Sequence, residues 1–178
     1  MKFYFPENYG ALGDGKNDDS RALQSAIDEA EKNGGGTVVL ESGKTYYSSS
    51  VIMKKNVELH LQKGSVLKAT SDINGYFRPC DFINDETNTL IGNPVTGKPS
   101  FAFIYAYKAD NAAITGGGKI DANGHSFVRD KTNTMSPATF IRVPRLCILR
   151  LATILCLRIS LWSMRRFGRF IRQAATMF

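Results

Sequence analysis

The chain has 178 residues, 43% of them hydrophobic, which suits one globular domain with its own core. Its formal charge of +7 is unevenly placed: residues 1–139 carry 12 Lys, 3 Arg and 16 Asp+Glu, a net −1, whereas residues 140–178 carry 8 Arg and no Lys, Asp or Glu, a net +8. With no basic face interleaved with aromatics outside that tail, a nucleic-acid partner is excluded, and three cysteines (Cys80, Cys147, Cys156) with two histidines (His60, His125) exclude a disulfide framework and a histidine-based zinc centre.

The chain opens "MKFYFPENYG", without the apolar run of about 7–15 residues that a signal peptide needs. It reads as cytoplasmic, and as secreted or periplasmic only with a leader upstream. Gly10, Gly13 and Gly15 punctuate a tight loop, after which Asp18 or Asp19 can accept bonds from the free N–H groups of a helix start. A helix is predicted from Ser20 to Lys32, with the capping segment at 19–32. Ala22, Leu23, Ala26, Ile27 and Ala30 make one apolar stripe, and Asn33-Gly34 supplies a left-handed stop.

Beyond the helix the period changes. Thr37–Leu40, "TYYS", "VIM", "VELHL" and "SVLKA" read as short strands separated by turns, and Val57, Leu59 and Leu61 alternate with Glu58 and His60. "FAFIYAYKADNAAITGGGKIDANG" repeats the scheme. Recurring strand–turn units predict a stacked solenoid in which neighbouring coils share one core. The helix would close the open apolar end of the first coil. Residues 71–100, with Pro79, Pro94 and Pro99, form a long excursion suited to lining a binding groove.

"YGALGDGKNDDSRALQSAID…GGGTVVL", "NVELHLQKGSVLKAT" and "AAITGGGKIDANG" together resemble the N-terminal part of polygalacturonase-type glycoside hydrolases of family 28, within the pectin-lyase-like superfamily. The resemblance covers about residues 3–143. It implies an all-β fold, a right-handed parallel β-helix with an N-terminal capping α-helix. It also implies inverting hydrolysis of galacturonan, with a pectic polysaccharide or oligogalacturonide as partner and no cofactor or metal. Inversion takes a carboxylic acid and a carboxylate base roughly 6.5–9.5 Å apart, and basic side chains would hold the substrate's carboxylates.

The motifs that carry this chemistry in the family, an Asn-x-Asp, an Asp-Asp, a Gly-His-Gly and an Arg-x-Lys, follow the "KIDANG" segment. Here no acid follows Asp130, so no catalytic, cofactor-binding or metal-binding residue is assigned, and the chain reads as a truncated, inactive copy. Asn17-Asp18-Asp19 belongs to the helix start, Gly124-His125-Ser126 to a turn, and Arg142 lacks a lysine two residues on. Asp121 and Asp130 stand too far apart in sequence to suggest a calcium site.

The domain reading is therefore 1–143 for the coils and 144–178 for a basic tail. Three readings of the tail compete: sequence foreign to the fold, as a shifted reading frame would produce; a basic amphipathic helix for a membrane surface, with Arg158, Arg165, Arg169 and Arg172 on one face and Leu155, Trp162 and Phe170 towards lipid; or strands of a divergent coil between Leu146 and Leu161, with Arg150 and Arg158 outward. The first is preferred, so a membrane partner is not expected; nor is the tail a transmembrane segment, since its longest uncharged run, Leu151 to Leu157, is far shorter than the roughly 20 residues of a spanning helix. Two further classes are a non-catalytic carbohydrate-binding β-helix, engaging glycan through 71–100, and a calcium-dependent pectate lyase.

Overall fold

A computed structural model describes residues 2–77, 102–123 and 126, together with the backbone of 145–150, 155–159 and 171–172. The strands are β1 (Phe3–Tyr4), β2 (Asp14–Asp18), β3 (Gly36–Leu40), β4 (Thr45–Ser48), β5 (Val51–Met53), β6 (Val57–Leu61), β7 (Val66–Ala69), β8 (Ala102–Tyr107), β9 (Ala112–Gly116), β10 (Lys119–Asp121), β11 (Arg145–Arg150), β12 (Leu155–Ile159) and β13 (Ile171–Arg172). The helix α1 spans Ser20–Lys32.

These strands make three parallel sheets. The first runs β1-β3-β6-β9-β12, the second β2-β4-β7-β10 and the third β5-β8-β11-β13. The chain visits them in turn: β3, β4, β5, then β6, β7, β8, then β9, β10, β11. Each circuit is one coil, and each strand pairs with its counterpart in the next coil. Thr37 stands beside Glu58, Glu58 beside Ala113, and Ala113 beside Cys156. The result is a right-handed parallel β-helix.

Inward side chains of the three sheets fill the core. Val38, Leu40, Tyr46, Val57, Leu59, Leu61, Leu67, Ile104 and Ile114 are all buried. The period-two pattern expected for Val57–Leu61 is observed, with Val57, Leu59 and Leu61 inside and Glu58 and His60 out. The helix stripe is observed too. Leu23, Ala26, Ile27 and Ala30 are fully buried against the first coil, and Leu23 and Ile27 each remove enough apolar area to stabilise by roughly 1.5–3 kcal/mol.

The ends of α1 show how local chemistry sets the boundary. At its C-terminus Gly34 takes φ +87°, the Gly35 N–H donates to Ala30 O at 2.8 Å and the Gly34 N–H to Glu31 O at 2.9 Å, a Schellman stop. At its N-terminus the expectation divides. Asp18 Oδ1 accepts the Ser20 N–H at 2.9 Å, as a cap should. Asp19, the residue next to the helix, makes no side-chain cap. Its carboxylate instead accepts N–H groups from Leu12 (2.7 Å), Gly13 (3.2 Å) and Tyr47 (3.4 Å) and so ties the glycine loop to the second sheet.

α1 also protects a sheet edge. β5 is the first strand of the third sheet, and its outer edge has no strand partner among the described residues. The Gln24 side-chain amide takes that place: its Oε1 accepts the Ile52 N–H at 3.0 Å and its Nε2 donates to Ile52 O at 3.1 Å. A single amide thus occupies both backbone groups that an open edge would offer to another chain.

The three corners differ. Between the third and first sheets, Asn56 (φ 59°) and Asn111 (φ 57°) make the left-handed turn in successive coils, and Asn111 Nδ2 donates to Asn56 Oδ1 at 3.0 Å. Between the first and second sheets the turns are short. Between the second and third sheets the first coil turns through Ser49-Ser50. There the next two coils carry their long insertions, 70–101 between β7 and β8 and 122–144 between β10 and β11.

Two sequence readings need correction. The glycine loop before the helix contains a strand, β2, which pairs with β4 at Asp14–Thr45 and Asp18–Tyr47 across a register shift. Its residues, Asp-Gly-Lys-Asn-Asp, have poor strand propensity, and pairing with a formed neighbour decides the outcome. In the tail, an amphipathic helix does not describe the backbone at 145–150, 155–159 or 171–172. β11 pairs with β8, β12 with β9 and β13 with β11, all parallel; β12 and all but the first residue of β11 fall within the 146–161 span of the third reading, and β13 lies outside it. Among the described residues no helix is long and apolar enough to cross a membrane.

Candidate functional site

Both long insertions begin at the corner between the second and third sheets, beside the outer face of the third sheet. Ile52 and Tyr105 are register neighbours there, and Ile148 of β11 occupies the next position. Phe77 and Ala102 complete a small apolar cluster outside the coil with Ile52 and Tyr105. The Phe77 and Tyr105 rings lie 4.8 Å apart and tilted, and Tyr107 stacks beyond at 6.5 Å from Tyr105. Tyr105 is only 4% exposed, so this cluster anchors the base of the first insertion rather than offering an open aromatic platform.

Ser50 closes that base. Its Oγ accepts the Phe77 N–H at 2.8 Å and donates to Ala102 O at 2.5 Å, while Phe77 and Ala102 form an isolated antiparallel bridge. Between this base and α1 runs an open groove of about 530 Å³, lined by Arg21, Gln24, Ser25 and Asp28 from the helix and by Ile52 and Phe77 opposite. That volume lies in the range of small-molecule sites, but the groove stands open to solvent over most of its extent.

The outer face of the first sheet carries a second polar arrangement that sequence reasoning missed. Glu58 accepts hydrogen bonds from the hydroxyls of Thr37 (3.0 Å) and Thr115, and His60 Nδ1 lies 2.7 Å from Thr115 Oγ1. These residues come from three strands, so only coil stacking unites them. Strand alternation placed Glu58 and His60 outward, but showed neither Thr37 and Thr115 beside them nor which coils neighbour one another.

A third cluster closes the start of the chain. Glu7 Oε1 accepts from Lys44 Nζ at 2.7 Å and from the Tyr46 hydroxyl, and Lys44 Nζ also lies 2.5 Å from Glu41 Oε2. Burial raises the Glu7 carboxyl, but the bonds from Lys44, Tyr46 and its own backbone outweigh burial and hold it below its ordinary value near 4.5. A depressed carboxyl contributes stability above the unfolded pKa and loses it as pH falls through the folded one. Glu7→Gln is therefore expected to lower stability at pH 7 by about 1 kcal/mol, a deficit that is smaller at pH 3. Urea unfolding of both proteins at the two pH values measures it, and an equal deficit at both would show that the carboxylate's charge is irrelevant.

The acids weighed in the sequence that fall among the described residues are all hydrogen-bonded within the chain. Asn17 Nδ2 donates to Asp14 Oδ2 at 2.7 Å, and Asp18 and Asp19 make the bonds described above. Asp121 Oδ1 accepts the Asn123 N–H at 2.9 Å and its Oδ2 pairs with Lys119 Nζ at 3.2 Å. Its carboxyl is pushed up by burial yet held below the ordinary range by these bonds and by the lysine charges. Gly124, His125, Asp130, Arg142 and Cys80 lie outside the described residues. Among the described residues no three His, Cys, Asp or Glu side chains gather into a metal-holding group.

A coil of three parallel sheets, sealed by a helix and carrying its insertions at one corner, defines the class: a pectin-lyase-like parallel β-helix. Residues 7–139 match the family model "Rhamnogalacturonase A/epimerase, pectate lyase-like", and the chain belongs to that family. Among curated proteins it is 48% identical over 61 residues to alginate lyase 7 of Azotobacter vinelandii, a match covering 30% of this chain and 7% of that one. It is 35% identical over 82 residues to a capsule KN3-specific depolymerase of Klebsiella phage KN3-1, covering 40% of this chain and 10% of that one. Among solved structures, the hyperthermoactive exopolygalacturonase of Thermotoga maritima superposes with a TM-score of 0.53 at 26% identity over 67% of this chain and 24% of that one. The chain thus spans a tenth or less of the length of these curated relatives.

Proposed function

We propose that this chain forms the N-terminal coils of a polygalacturonase-like hydrolase that cleaves pectic polysaccharide with inversion, and that this polypeptide by itself is inactive. The supporting observation is a contrast within the sequence. The family match runs to residue 139, and no Asp or Glu follows Asp130 to serve as acid or base. The purified chain is expected to release no reducing ends from polygalacturonate, and no unsaturated products with or without calcium. Measurable turnover in either assay would sink the claim of inactivity. The abrupt change from net −1 to net +8 favours a shifted frame in the gene. Sequencing through the codons for 144–178 should then reveal Asn-x-Asp, Asp-Asp, Gly-His-Gly and Arg-x-Lys in another frame.

A non-catalytic glycan-binding role is a second reading, favoured by the groove beside α1. It predicts affinity without turnover.

A further inference from the structure

We propose that the groove between α1 and Gly75–Phe77 is a binding site for a uronic-acid residue, with Arg21 receiving its carboxylate. The inference rests on the polysaccharide reading above but places the sugar where no coil chemistry requires it, at the capped end of the third sheet.

The argument is one of unmatched groups. Most polar side chains in the groove are committed. Gln24 serves the edge of β5. Asp28 accepts from Gln24 Nε2 at 2.9 Å and lies 3.8 Å from Lys54 Nζ, which also faces Glu31 at 3.5 Å. Ser20 bonds Asp18 and the Ser49 N–H, and Ser50 bonds Phe77 and Ala102. Two groups remain. Arg21 makes no ion pair or hydrogen bond among the described residues, and neither does the Ser25 hydroxyl. They stand four residues apart on one helix face, where side chains are neighbours. A guanidinium with a full fork of donors beside a hydroxyl is the set that takes a carboxylate and an adjacent ring hydroxyl. Opposite them, Ile52 and Phe77 supply an apolar wall for the C–H face of a sugar ring. A neutral sugar would leave the guanidinium unanswered. A free inorganic anion would leave the apolar wall unused.

The test is calorimetric titration of the full chain with trigalacturonate and with galactotriose, its neutral counterpart, repeated on Arg21→Ala and Ser25→Tyr. Arg21 is exposed and alanine is the best helix former, so the first variant should keep the wild-type melting temperature. The second fills the groove without touching the charge. Trigalacturonate is expected to bind, at least tenfold more weakly in Arg21→Ala and in Ser25→Tyr, and more weakly as salt rises. Unchanged affinity in both variants would overturn the groove site and leave the polysaccharide reading standing. Preference for galactotriose would overturn the uronate assignment and the pectic reading together. A folded wild-type chain that binds neither sugar would overturn the groove site, while the gene-frame result continues to judge the reading beneath it.

Discussion

Gly116→Ala should be the most damaging single-methyl change in the described coils, at about 3–5 kcal/mol. Gly116 ends β9 beside Leu61 of the coil below, and a Cβ built on it would stand 1.9 Å from Leu61 O and 2.7 Å from Leu61 C. Those are backbone atoms, so no rotamer change relieves the overlap. The same carbonyl accepts the Gly117 N–H at 2.9 Å and the Gly118 N–H at 3.1 Å, so moving it also costs the turn into β10. Gly116 has φ +102° as well, which disfavours any L side chain. Gly34→Ala is the control: φ is +87° but nothing lies within 4 Å of the added carbon, so only the conformational cost of about 1–2 kcal/mol remains. Denaturant unfolding of the two variants separates overlap from backbone strain. Equal losses would mean that β9 does not sit on β6 as described.

Asp19→Ala should cost about 2–4 kcal/mol. Asp19 is 2% exposed, and its carboxylate accepts three backbone N–H groups, from Leu12, Gly13 and Tyr47. Alanine leaves those donors in a site too enclosed for water to replace all of them. The loss should be localised. Amide exchange at Leu12 and Gly13 should speed up more than exchange in β6 or β9, because the loop loses its tether while the coil keeps its core. Asp14→Ala is the contrast. Asp14 bonds the Lys16 and Asn17 N–H groups at 2.9 Å on the exposed surface, where water takes over. Similar losses at the two positions would show that Asp19 acts only as another turn residue.

The two carboxylates also show what is legible in sequence. Asp18 and Asp19 both looked like caps, because a cap is defined by position relative to a helix. Asp18 fills that role for Ser20. Asp19 turns to Leu12, seven residues back, and to Tyr47, twenty-eight ahead, contacts that no local rule predicts. Of the groove beside α1, the sequence showed the helix and its polar face. It did not show that Ser50, Ile52 and Phe77 would stand opposite, since Ser50 and Ile52 meet the helix only when the first coil has wound round to its third sheet, and Phe77 only at the start of the following insertion.

What the sequence alone determined is what short-range chemistry specifies: the apolar stripe of α1, its glycine stop, the alternation of Val57, Leu59 and Leu61, and the glycine and asparagine turns. Tertiary structure decided the rest. It made a strand of Asp14–Asp18 despite its composition, because β4 offered an edge. It made strands of the arginine-rich segments at 145–150 and 155–159, because β8 and β9 did the same. It gathered Thr37, Glu58, His60 and Thr115 onto one face. The physical reason is common to all three: in a parallel coil each strand's hydrogen bonds are made with the coils before and after it, so the identity of a strand, and the company its outward side chains keep, depend on residues far away in the chain.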